Sequence, residues 1–583
     1  MENDKRKQGV RGEESKEEKW VDGGSVDYKG QVPLHSSTGV WKASLFIITL
    51  EFSERLSFNG IGSNLILYLT QVIHLDLRTA AKNVNYWSGT TTMMPLIGAF
   101  IADAYTGRFL TVMFSSLIYL LGLSLLTMSQ LIPSLKPCNV GTCHRPRKLH
   151  EVVFFLALYC ISVGTGGIKP CLESFGADQF DDTHMEERKK KMSFFNLWMF
   201  TLSCGILLGT TVIVYVEDYV SWGIASLILA IAMTVTIITF YIGKPFYRYR
   251  IPEGSPITPM LQVIIAATRK RHLACPSDHT LLHEVPKSEK SQGRLLSHTS
   301  RLRFLDKAAI MEEESMELKD NPWRLSTVTK VEETKLFLNV FPIWFCSLTF
   351  GVFATQATTF FIKQAASMNL KIIKNFKIPP ASISTVDAIA IIISLAIYDR
   401  VLVPILRKAT TNERGISILQ RIGIGMLLSV IAMSNAALVE KKRLGLAGIG
   451  TLSVLWLVPQ FIILGIGEAF TLVGLQEYFY DQVPDSMRSL GIALYLGVLG
   501  IGSFLGSLLI TIVDHVTDKN GRSWIGKDLN SSCLDKFYWL LAALNALNFF
   551  IYVFIARRYT YKTVQRRVIE IDGYKGDGVE LTA

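Results

Sequence analysis

The sequence has few charged residues for its length. Charged side chains make up 19% of its 583 residues and hydrophobic side chains make up 49%, whereas soluble domains contain about 25% charged residues. A chain of this composition has more apolar surface than one water-soluble core can bury. Collagen-like and disordered classes are excluded as well, because there is no Gly-x-y period and 11% of the residues are aromatic. The composition indicates a membrane protein that crosses the bilayer several times.

The spacing motifs of metal, redox and hydrolytic sites are absent too. The eight cysteines include no C-x-x-C pair, which excludes a zinc ribbon and a thioredoxin-type site. Cys138 and Cys143 enclose a short polar loop and could form a disulfide if that loop faces an oxidising space. No H-E-x-x-H, G-x-S-x-G or phosphate-binding loop occurs. We predict that the protein is not an enzyme and holds no metal and no cofactor.

Apolar runs of about 20 residues or more recur along the chain, and each is long enough to cross a bilayer as a helix. The first six lie at 42–71, 82–104, 109–132, 151–175, 194–216 and 222–245. The second six lie at 335–362, 381–406, 416–439, 451–479, 490–514 and 536–556. The sequence therefore predicts an all-α membrane protein with twelve transmembrane helices in two six-helix bundles, an arrangement of many secondary transporters.

This pattern divides the chain into five regions. They are a flexible cytosolic N-terminal tail at 1–40, the first bundle at 41–245, a cytosolic linker with amphipathic helices at 246–333, the second bundle at 334–558 and a cytosolic C-terminal tail at 559–583. The first region lacks the apolar core of a signal peptide.

Lysine and arginine in the short loops hardly distinguish the two membrane faces. With both termini in the cytosol, the basic runs at 188–191 and 557–558 lie inside, and the sequon at Asn530 lies outside, where it can be glycosylated. We adopt that orientation. The net charge of +11 then reflects residues that flank the bilayer, and we expect no nucleic-acid partner.

Charged side chains inside a membrane span are costly and mark functional sites. Glu51, Glu54 and Arg55 lie at positions i, i+3 and i+4 of the first span, so they share one helical face. Two carboxylates and one guanidinium leave an unbalanced charge, which Lys169 of the fourth span can offset. Glu468 of the tenth span adds a further carboxylate. A structural ion-pair network is the alternative, but the excess of carboxylates favours a network that takes up protons.

All ten histidines fall in loops or tails by this assignment of spans. Protons that accompany a substrate would therefore have to bind to carboxylates rather than to imidazoles. Glu477, nearer the cytosolic end of the tenth span, is a second candidate beside Glu468.

Acid and arginine recur at the same place in each half. Asp103 ends the second span and Arg108 follows it, and Asp399 and Arg400 lie at the end of the eighth. Charged corners of this kind can latch neighbouring helices and release them as two bundles rock. We predict a gating role for these residues, with ordinary helix-end charge as the alternative.

These residues carry a family resemblance. Glu51-x-x-Glu54-Arg55 is similar to the ExxER motif of proton-coupled oligopeptide transporters, and residues 175–181, FGADQFD, resemble the signature after their fourth span. Further matches are Trp87-Ser-Gly, Phe304-Leu-Asp-Lys-Ala-Ala309, Asn321-Pro-Trp-Arg324, Val331-Glu-Glu, Asn412-Glu-Arg-Gly415 and Gln482-Val-Pro-Asp-Ser-Met-Arg488. From about residue 25 to 565 the chain resembles the plant nitrate/peptide transporter family, a branch of the major facilitator superfamily.

The resemblance implies alternating access around a central cavity between the bundles. It also implies symport, in which Glu51, Glu54 and Arg55 couple protons to the substrate, with Lys169 and Glu468 as partners. The protons are the coupling ion, and no other cofactor is implied. A plant plasma membrane or vacuolar membrane is the implied location.

Substrates in this family include nitrate, di- and tripeptides, hormones and glucosides. The histidine implicated in nitrate binding by the best-known nitrate transporter aligns with Ala354, so that binding mode is absent, although members without the histidine also carry nitrate. Arg55 and Lys169 can hold an anion or a peptide carboxylate. Phe353 and Gln356 of the seventh span, with Glu468, complete the expected substrate site.

Nitrate leads slightly because of its frequency in the family. The alternatives are an oligopeptide, hormone or glucoside transporter and, in a different class, a nutrient-sensing receptor with little transport. Thr111 follows Arg108 at a spacing that basophilic kinases use, and the resemblance implies that a kinase switches affinity there. A hydroxyl that only caps the helix is the alternative.

Overall fold

The computed structural model describes residues 20–21, 24–136, 148–181, 184–250, 254, 257–274, 282–283, 298–311, 321–373, 376–410, 415–446, 450–484, 487–518 and 523–559. Within them the chain is mainly helical. Its strands form two small antiparallel pairs, Ser25–Val26 with Tyr249–Arg250 and Lys371–Ile373 with Phe376–Lys377.

Long helices in the described part of the chain occupy the positions of all twelve predicted spans. The first six are α1 (Val40–Leu67), α2 (Leu77–Ile101), α3 (Arg108–Leu131), α4 (Lys148–Ala177), α5 (Met185–Leu208, continued at Val214–Tyr219) and α6 (Trp222–Ile242). The second six are α7 (Phe341–Thr358, continued at Phe360–Ala366), α8 (Thr385–Ile397, continued at Val403–Thr410), α9 (Ile418–Leu446), α10 (Val458–Gln482), α11 (Arg488–Asp518) and α12 (Leu534–Arg558). The helices thus form the predicted all-α architecture, in which each half of the chain contributes six spans.

Ten of these helices are long and apolar enough to cross a membrane. The other two, α1 and α2, lack an uninterrupted apolar stretch of that kind, and α1 carries Glu51, Glu54 and Arg55 in its middle. Large apolar side chains point outward from the helices, as Leu547, Phe550 and Phe554 do on α12. This exposed apolar surface is what contact with lipid requires.

Turns of π-helix interrupt four of the long helices, at Tyr68–Val72, Ala102–Thr106, Gly209–Ile213 and Tyr398–Leu402. Such turns are rare and occur frequently at functional sites. Those at Ala102–Thr106 and Tyr398–Leu402 end or interrupt the second helix of each bundle. A π turn therefore lies at the same place in each bundle as the repeat of acid and arginine that the sequence shows.

One buried arginine fastens the first bundle where its chain begins and ends. The Arg248 guanidinium donates hydrogen bonds to Thr38, to the backbone oxygen of Gln179 and to both carboxylate oxygens of Glu187, at 2.7 and 3.1 Å. We call these four residues the Arg248 clasp. Residues 24–39, assigned to a flexible tail, instead form a strand and contacts with this bundle, because Thr38 supplies acceptors that the buried guanidinium needs.

A separate compact unit contains residues 257–340. Its helix Ile257–Arg269 fits the amphipathic helices predicted for the linker, and residues Arg303–Ala309 form a short 3₁₀ helix. A third helix, Val328–Asn339, includes residues assigned to the seventh span. That span begins at Phe341 rather than near 335, because Pro342 lacks a backbone N–H and suits the first turn of a new helix. The linker unit thus ends after the predicted boundary at 333.

Glycine allows α2 and α4 to approach closely. A Cβ atom on Gly98 would overlap the backbone oxygen of Gly166 on the facing helix. Small residues at such contacts are a general device of helix packing in membranes.

We expect Gly98→Ala to destabilise the protein by about 1–3 kcal/mol, the usual cost of overpacking a tight contact. The measurement is the melting temperature of the purified protein in detergent. Gly445→Ala is the matched control, since a Cβ there meets no atom within 4 Å. Equal melting temperatures for the two variants would show that the α2–α4 contact is looser than described.

Candidate functional site

The three charged residues of α1 lie together as their spacing predicts. Arg55 Nε donates to Glu51 Oε1 at 2.6 Å and lies 3.5 Å from Glu54 Oε2. Both glutamates are fully buried. The guanidinium therefore pairs with two carboxylates that have no access to water. Pairing of this kind offsets the cost of burying charge in a low dielectric.

Lys169 of α4 completes the cluster. Its Nζ atom lies 3.9 Å from Glu54 Oε1 and 3.8 Å from the centre of the Phe58 ring, which stacks on Trp87. Thr165, one turn earlier on α4, donates to Glu54 Oε1 at 3.5 Å. We call Glu51, Glu54, Arg55 and Lys169 the α1–α4 cluster.

Two carboxylate oxygens of this cluster have no hydrogen-bond donor. Glu51 Oε2 and Glu54 Oε2 are buried, and neither accepts a hydrogen bond in the described structure. An oxygen in this position has its lone pairs free for a proton, and a bound proton would remove the charge of the buried carboxylate. The cluster therefore offers two buried oxygens at which a proton can bind.

Glu468 lies apart from this cluster and beside another acid. The carboxyls of Glu468 and of Asp387 on α8 interact electrostatically, and Glu468 also acts on the Tyr495 hydroxyl of α11. Asp387 Oδ1 is buried without a hydrogen-bond partner. Asp387 is not among the residues predicted from the sequence, although it too is a charged residue inside an apolar span.

The two residues of the seventh span that the sequence predicts in the substrate site, Phe353 and Gln356, are both buried. Phe353 is fully buried against Phe350, with ring centres 5.4 Å apart. Gln356 is also buried; its Nε2 donates to Val352 O and Thr355 Oγ1, while its Oε1 has no partner. Of these two expected substrate residues, Gln356 has the free polar atom.

The predicted corner of the first bundle is assembled. Arg108 contacts Asp178 in an ion pair and lies 3.7 Å from Asp103, so it joins the start of α3 to the ends of α2 and α4. Burial raises the pKa of the Asp178 carboxyl, and the Arg108 guanidinium opposes that effect. The contact fits a latch on one membrane face.

The corresponding corner of the second bundle uses other residues than predicted. Asp399 and Arg400 are exposed, and neither makes an ion pair within the described ranges. Instead Arg421, at the start of α9, lies 3.5 Å from Glu477 of α10 and 4.4 Å from the centre of the Tyr398 ring. The π turn at Tyr398–Leu402 turns Asp399 and Arg400 outward and the tyrosine inward, so the charged contact at this corner is formed by Arg421 and Glu477.

Polar contacts between the two bundles collect at the opposite helix ends, near the loop that carries Asn530. They join Arg78 to Asp514, Leu77 to Lys527, Thr70 to Lys363, Thr210 to Ser382 and Thr385, and Tyr219 to Lys377. We call this side the Asn530 end. The bundles are closed against each other there.

Two histidines do not lie in loops, contrary to the assignment made from the sequence. His150 lies in the first turn of α4, buried, with Nε2 3.0 Å from the Tyr68 hydroxyl, and His515 lies in the last turn of α11. Both helices extend a few residues beyond the predicted ends. The apolar run marks the span, whereas the backbone hydrogen bonds of the helix continue into the polar residues beside it. Neither histidine is a hydrogen-bond partner of the α1–α4 cluster in the described structure.

The predicted modification sites differ in access. Thr111 is buried, and its hydroxyl donates to Gly107 O at 2.9 Å and lies 2.6 Å from Thr106 Oγ1, so it does not cap the helix N–H groups. Asn530 is exposed, and its Oδ1 accepts from Arg443 at 2.7 Å. Cys138 and Cys143 lie outside the described residues.

One group in the linker unit resembles a metal site. Ligand atoms of His298, Asp306 and Glu332 lie within 4.8 Å of one another. The Lys335 ammonium, however, lies 2.6 Å from Asp306 and 2.7 Å from Glu332. The lysine takes the place that a cation would need.

Comparison with known proteins gives consistent matches over most of the chain. The model of the POT family, PTR2, matches residues 109–526. Two curated Arabidopsis thaliana proteins are each 59% identical to the chain: NRT1/PTR FAMILY 5.7 over 97% of this chain and 95% of its own, and NRT1/PTR FAMILY 5.6 over 94% and 96%.

Solved structures show the same fold at low identity. The POT family transporter PepTSo aligns with a TM-score of 0.68 at 19% identity, covering 89% of this chain and 98% of its own. A POT family transporter in complex with a thioalcohol-conjugated peptide aligns with a TM-score of 0.61 at 13% identity, covering 92% and 99%.

Exchanging the arginine that the structure assigns to the second corner should affect the protein, whereas exchanging the one that the sequence suggested should not. Arg421→Gln removes an ion pair and a cation–π contact, worth about 1–2 kcal/mol together, and should lower the melting temperature by several degrees. Arg400→Gln is the control and should leave it unchanged. The reverse order would restore the original assignment.

Proposed function

The chain belongs to the POT family of membrane transporters, in its plant NRT1/PTR branch, and on that premise we propose that it is a proton-coupled symporter of a small anion. Nitrate is the first substrate to test. The observation that carries the proposal is the α1–α4 cluster, in which two carboxylates and two cations share one buried site.

The charge balance of this cluster links protons to anions. With both glutamates ionised, their charges cancel those of Arg55 and Lys169, and the site has no net attraction for an anion. When Glu51 and Glu54 bind protons, two positive charges remain for the substrate. Arginine and lysine then offer charge-assisted hydrogen bonds to an oxyanion. Proton binding thus favours anion binding, and neither ion is transported efficiently without the other.

Helix α1 connects this site to the contacts between the bundles. It carries the cluster at Glu51–Arg55, and its π-helical extension carries Thr70, which accepts a hydrogen bond from Lys363 of the other bundle. With both termini in the cytosol, as we propose, the Asn530 end faces outward and is closed in this conformation. The site then alternates between the two sides as the bundles rock about it.

A substrate with an amino group is the second candidate. Asp387 and Glu468 place two carboxyls in the second bundle, where they could bind an ammonium while Arg55 and Lys169 bind a carboxylate. A zwitterionic oligopeptide has both groups, and one related transporter of solved structure holds a conjugated peptide. Hormones, glucosides and a receptor role remain outcomes of the same assay, in which binding without uptake would indicate a receptor.

The proposal includes a membrane and a regulator. The location is a plasma membrane or vacuolar membrane, and a kinase acts on Thr111. Because that hydroxyl is buried and bonded, phosphorylation requires the turn at 106–111 to open first.

Uptake of labelled solutes by oocytes at acidic external pH separates the substrate candidates. We expect nitrate uptake above that of water-injected cells, increasing as external pH falls. Dipeptides and zwitterionic amino acids form the second panel. Peptide uptake without nitrate uptake would replace the anion by the zwitterion.

Neutral mimics of the two glutamates should abolish proton coupling but leave the loaded carrier able to reorient. Glu51→Gln with Glu54→Gln preserves side-chain shape but cannot bind or release a proton. Uptake driven by a pH gradient should disappear in proteoliposomes, whereas exchange between labelled and unlabelled substrate at equal pH should persist, since exchange needs only the loaded carrier to reorient.

Accumulation at the wild-type rate in this double variant would show that the protons travel elsewhere, with Asp387 and Glu468 next to test. Substrate binding to the purified variant is the control for damage. Glu186→Gln, at an exposed acid on α5, is the matched exchange that should change neither mode.

Lys169→Ala should abolish flux although the protein still reaches the membrane. Losing the lysine leaves Glu54 with one neighbouring cation instead of two, and breaking a buried pair costs about 3–5 kcal/mol if the carboxyl stays ionised. The measurement is uptake normalised to surface protein. Near-normal uptake by the alanine variant would remove Lys169 from the mechanism.

A further inference from the structure

The outer part of α5 carries a pair of carboxyls that the proposed mechanism does not use. Glu217 is 4% exposed, and its Oε2 accepts a hydrogen bond from Asn64 Nδ2 at 3.0 Å. The same Nδ2 atom donates to Asp218 Oδ1 at 2.9 Å. Asn64 is fully buried in α1, and its Oδ1 has no hydrogen-bond partner. One buried amide therefore joins two neighbouring acids.

No cation offsets these carboxyls in the described ranges. Neither Glu217 nor Asp218 forms an ion pair in this part of the structure, and the titratable neighbours on their own helix are Tyr215 and Tyr219. Helix α6 and the turn Pro380–Ser384, which pack against this part of α5, contain no acidic or basic side chain; the one titratable group on α6 is Tyr241, at its far end. Along α1, the nearest charged residue is Arg55, nine positions before Asn64.

A buried carboxylate without a counter-ion is costly, and two adjacent acids cannot both ionise easily. The pair is stable as described when it holds at least one proton. Asp218 is half-buried whereas Glu217 is buried, so Asp218 connects the inner carboxyl to solvent.

The pair adjoins contacts that close the two bundles. Tyr219, next in the chain, donates to Lys377 O at 3.4 Å, and Thr210, two turns earlier, contacts Ser382 and Thr385. Lys377, Ser382 and Thr385 all belong to the second bundle. Any hydration or repulsion at Glu217 and Asp218 therefore acts on the segment of α5 that forms the closed Asn530 end.

We propose that Glu217, Asp218 and Asn64 form a second proton-binding site, whose occupation permits the Asn530 end to close. The inference rests on the proposed proton coupling and adds a site distant from the α1–α4 cluster. A proton enters through Asp218 and resides on Glu217 while this end is shut. Its loss leaves a carboxylate that requires water, and water reaches it only when α5 separates from α8.

The test is a distance between the bundles, measured without substrate. Spin labels at Val220→Cys and Lys371→Cys, both exposed positions beside the contacts, report closure in purified protein whose other accessible cysteines are replaced by serine. We expect the wild-type distance to be short at acidic pH and to lengthen as pH rises. Glu217→Gln, a permanent mimic of the protonated acid, should keep the short distance at every pH.

Glu186→Gln, on the same helix, should respond as the wild type does. The Glu51→Gln/Glu54→Gln variant should also keep the response, so this experiment is independent of whether transport proves to be proton-coupled at the centre. A wild-type distance that ignores pH, or an unchanged response in Glu217→Gln, overturns the proposal. Loss of the response in the Glu51→Gln/Glu54→Gln variant also overturns it, because titration at the centre would then govern closure.

Discussion

The cost of removing charge from water organises this molecule more than any other interaction. Where arginines are buried or half-buried, carboxylates pair with them, as at Arg55, Arg248 and Arg443. The surplus is acidic: the Asp387–Glu468 and Glu217–Asp218 pairs have no ion-pair partner in the described ranges. An acid can escape this cost by binding a proton, whereas arginine cannot lose one at physiological pH. A surplus of buried acids is therefore a capacity to carry protons.

The two halves reach a similar corner by different chemistry. An arginine begins the third helix of each bundle and meets an acid from the fourth, Arg108 with Asp178 and Arg421 with Glu477. The π turn supplies a carboxylate in the first half and the Tyr398 ring in the second. A ring face holds a guanidinium less strongly than a carboxylate does and is less sensitive to salt. The two corners need not open under the same conditions.

Helix number and the α1–α4 cluster could be predicted from the sequence because both depend on short-range patterns. Apolar runs give the spans, and the i, i+3, i+4 spacing brings Glu51, Glu54 and Arg55 together. Partners from distant helices could not be assigned in this way. Arg421 and Glu477 are 56 residues apart in the chain, and only the packing of α9 against α10 joins them. Glu217 was missed because it lies one residue beyond the predicted end of its span, where charge is ordinarily unremarkable.

The Arg248 clasp has a consequence for how the chain is made. Its members lie before α1, after α4, at the start of α5 and after α6, and the strand pair Ser25–Val26 with Tyr249–Arg250 closes beside it. Every one of these residues has left the ribosome before α7 is synthesised. Since domains fold as units during synthesis, the first bundle can lock itself before its partner exists. The second bundle then assembles against a first bundle that is already folded, in which Lys169 of α4 has met the charged residues of α1.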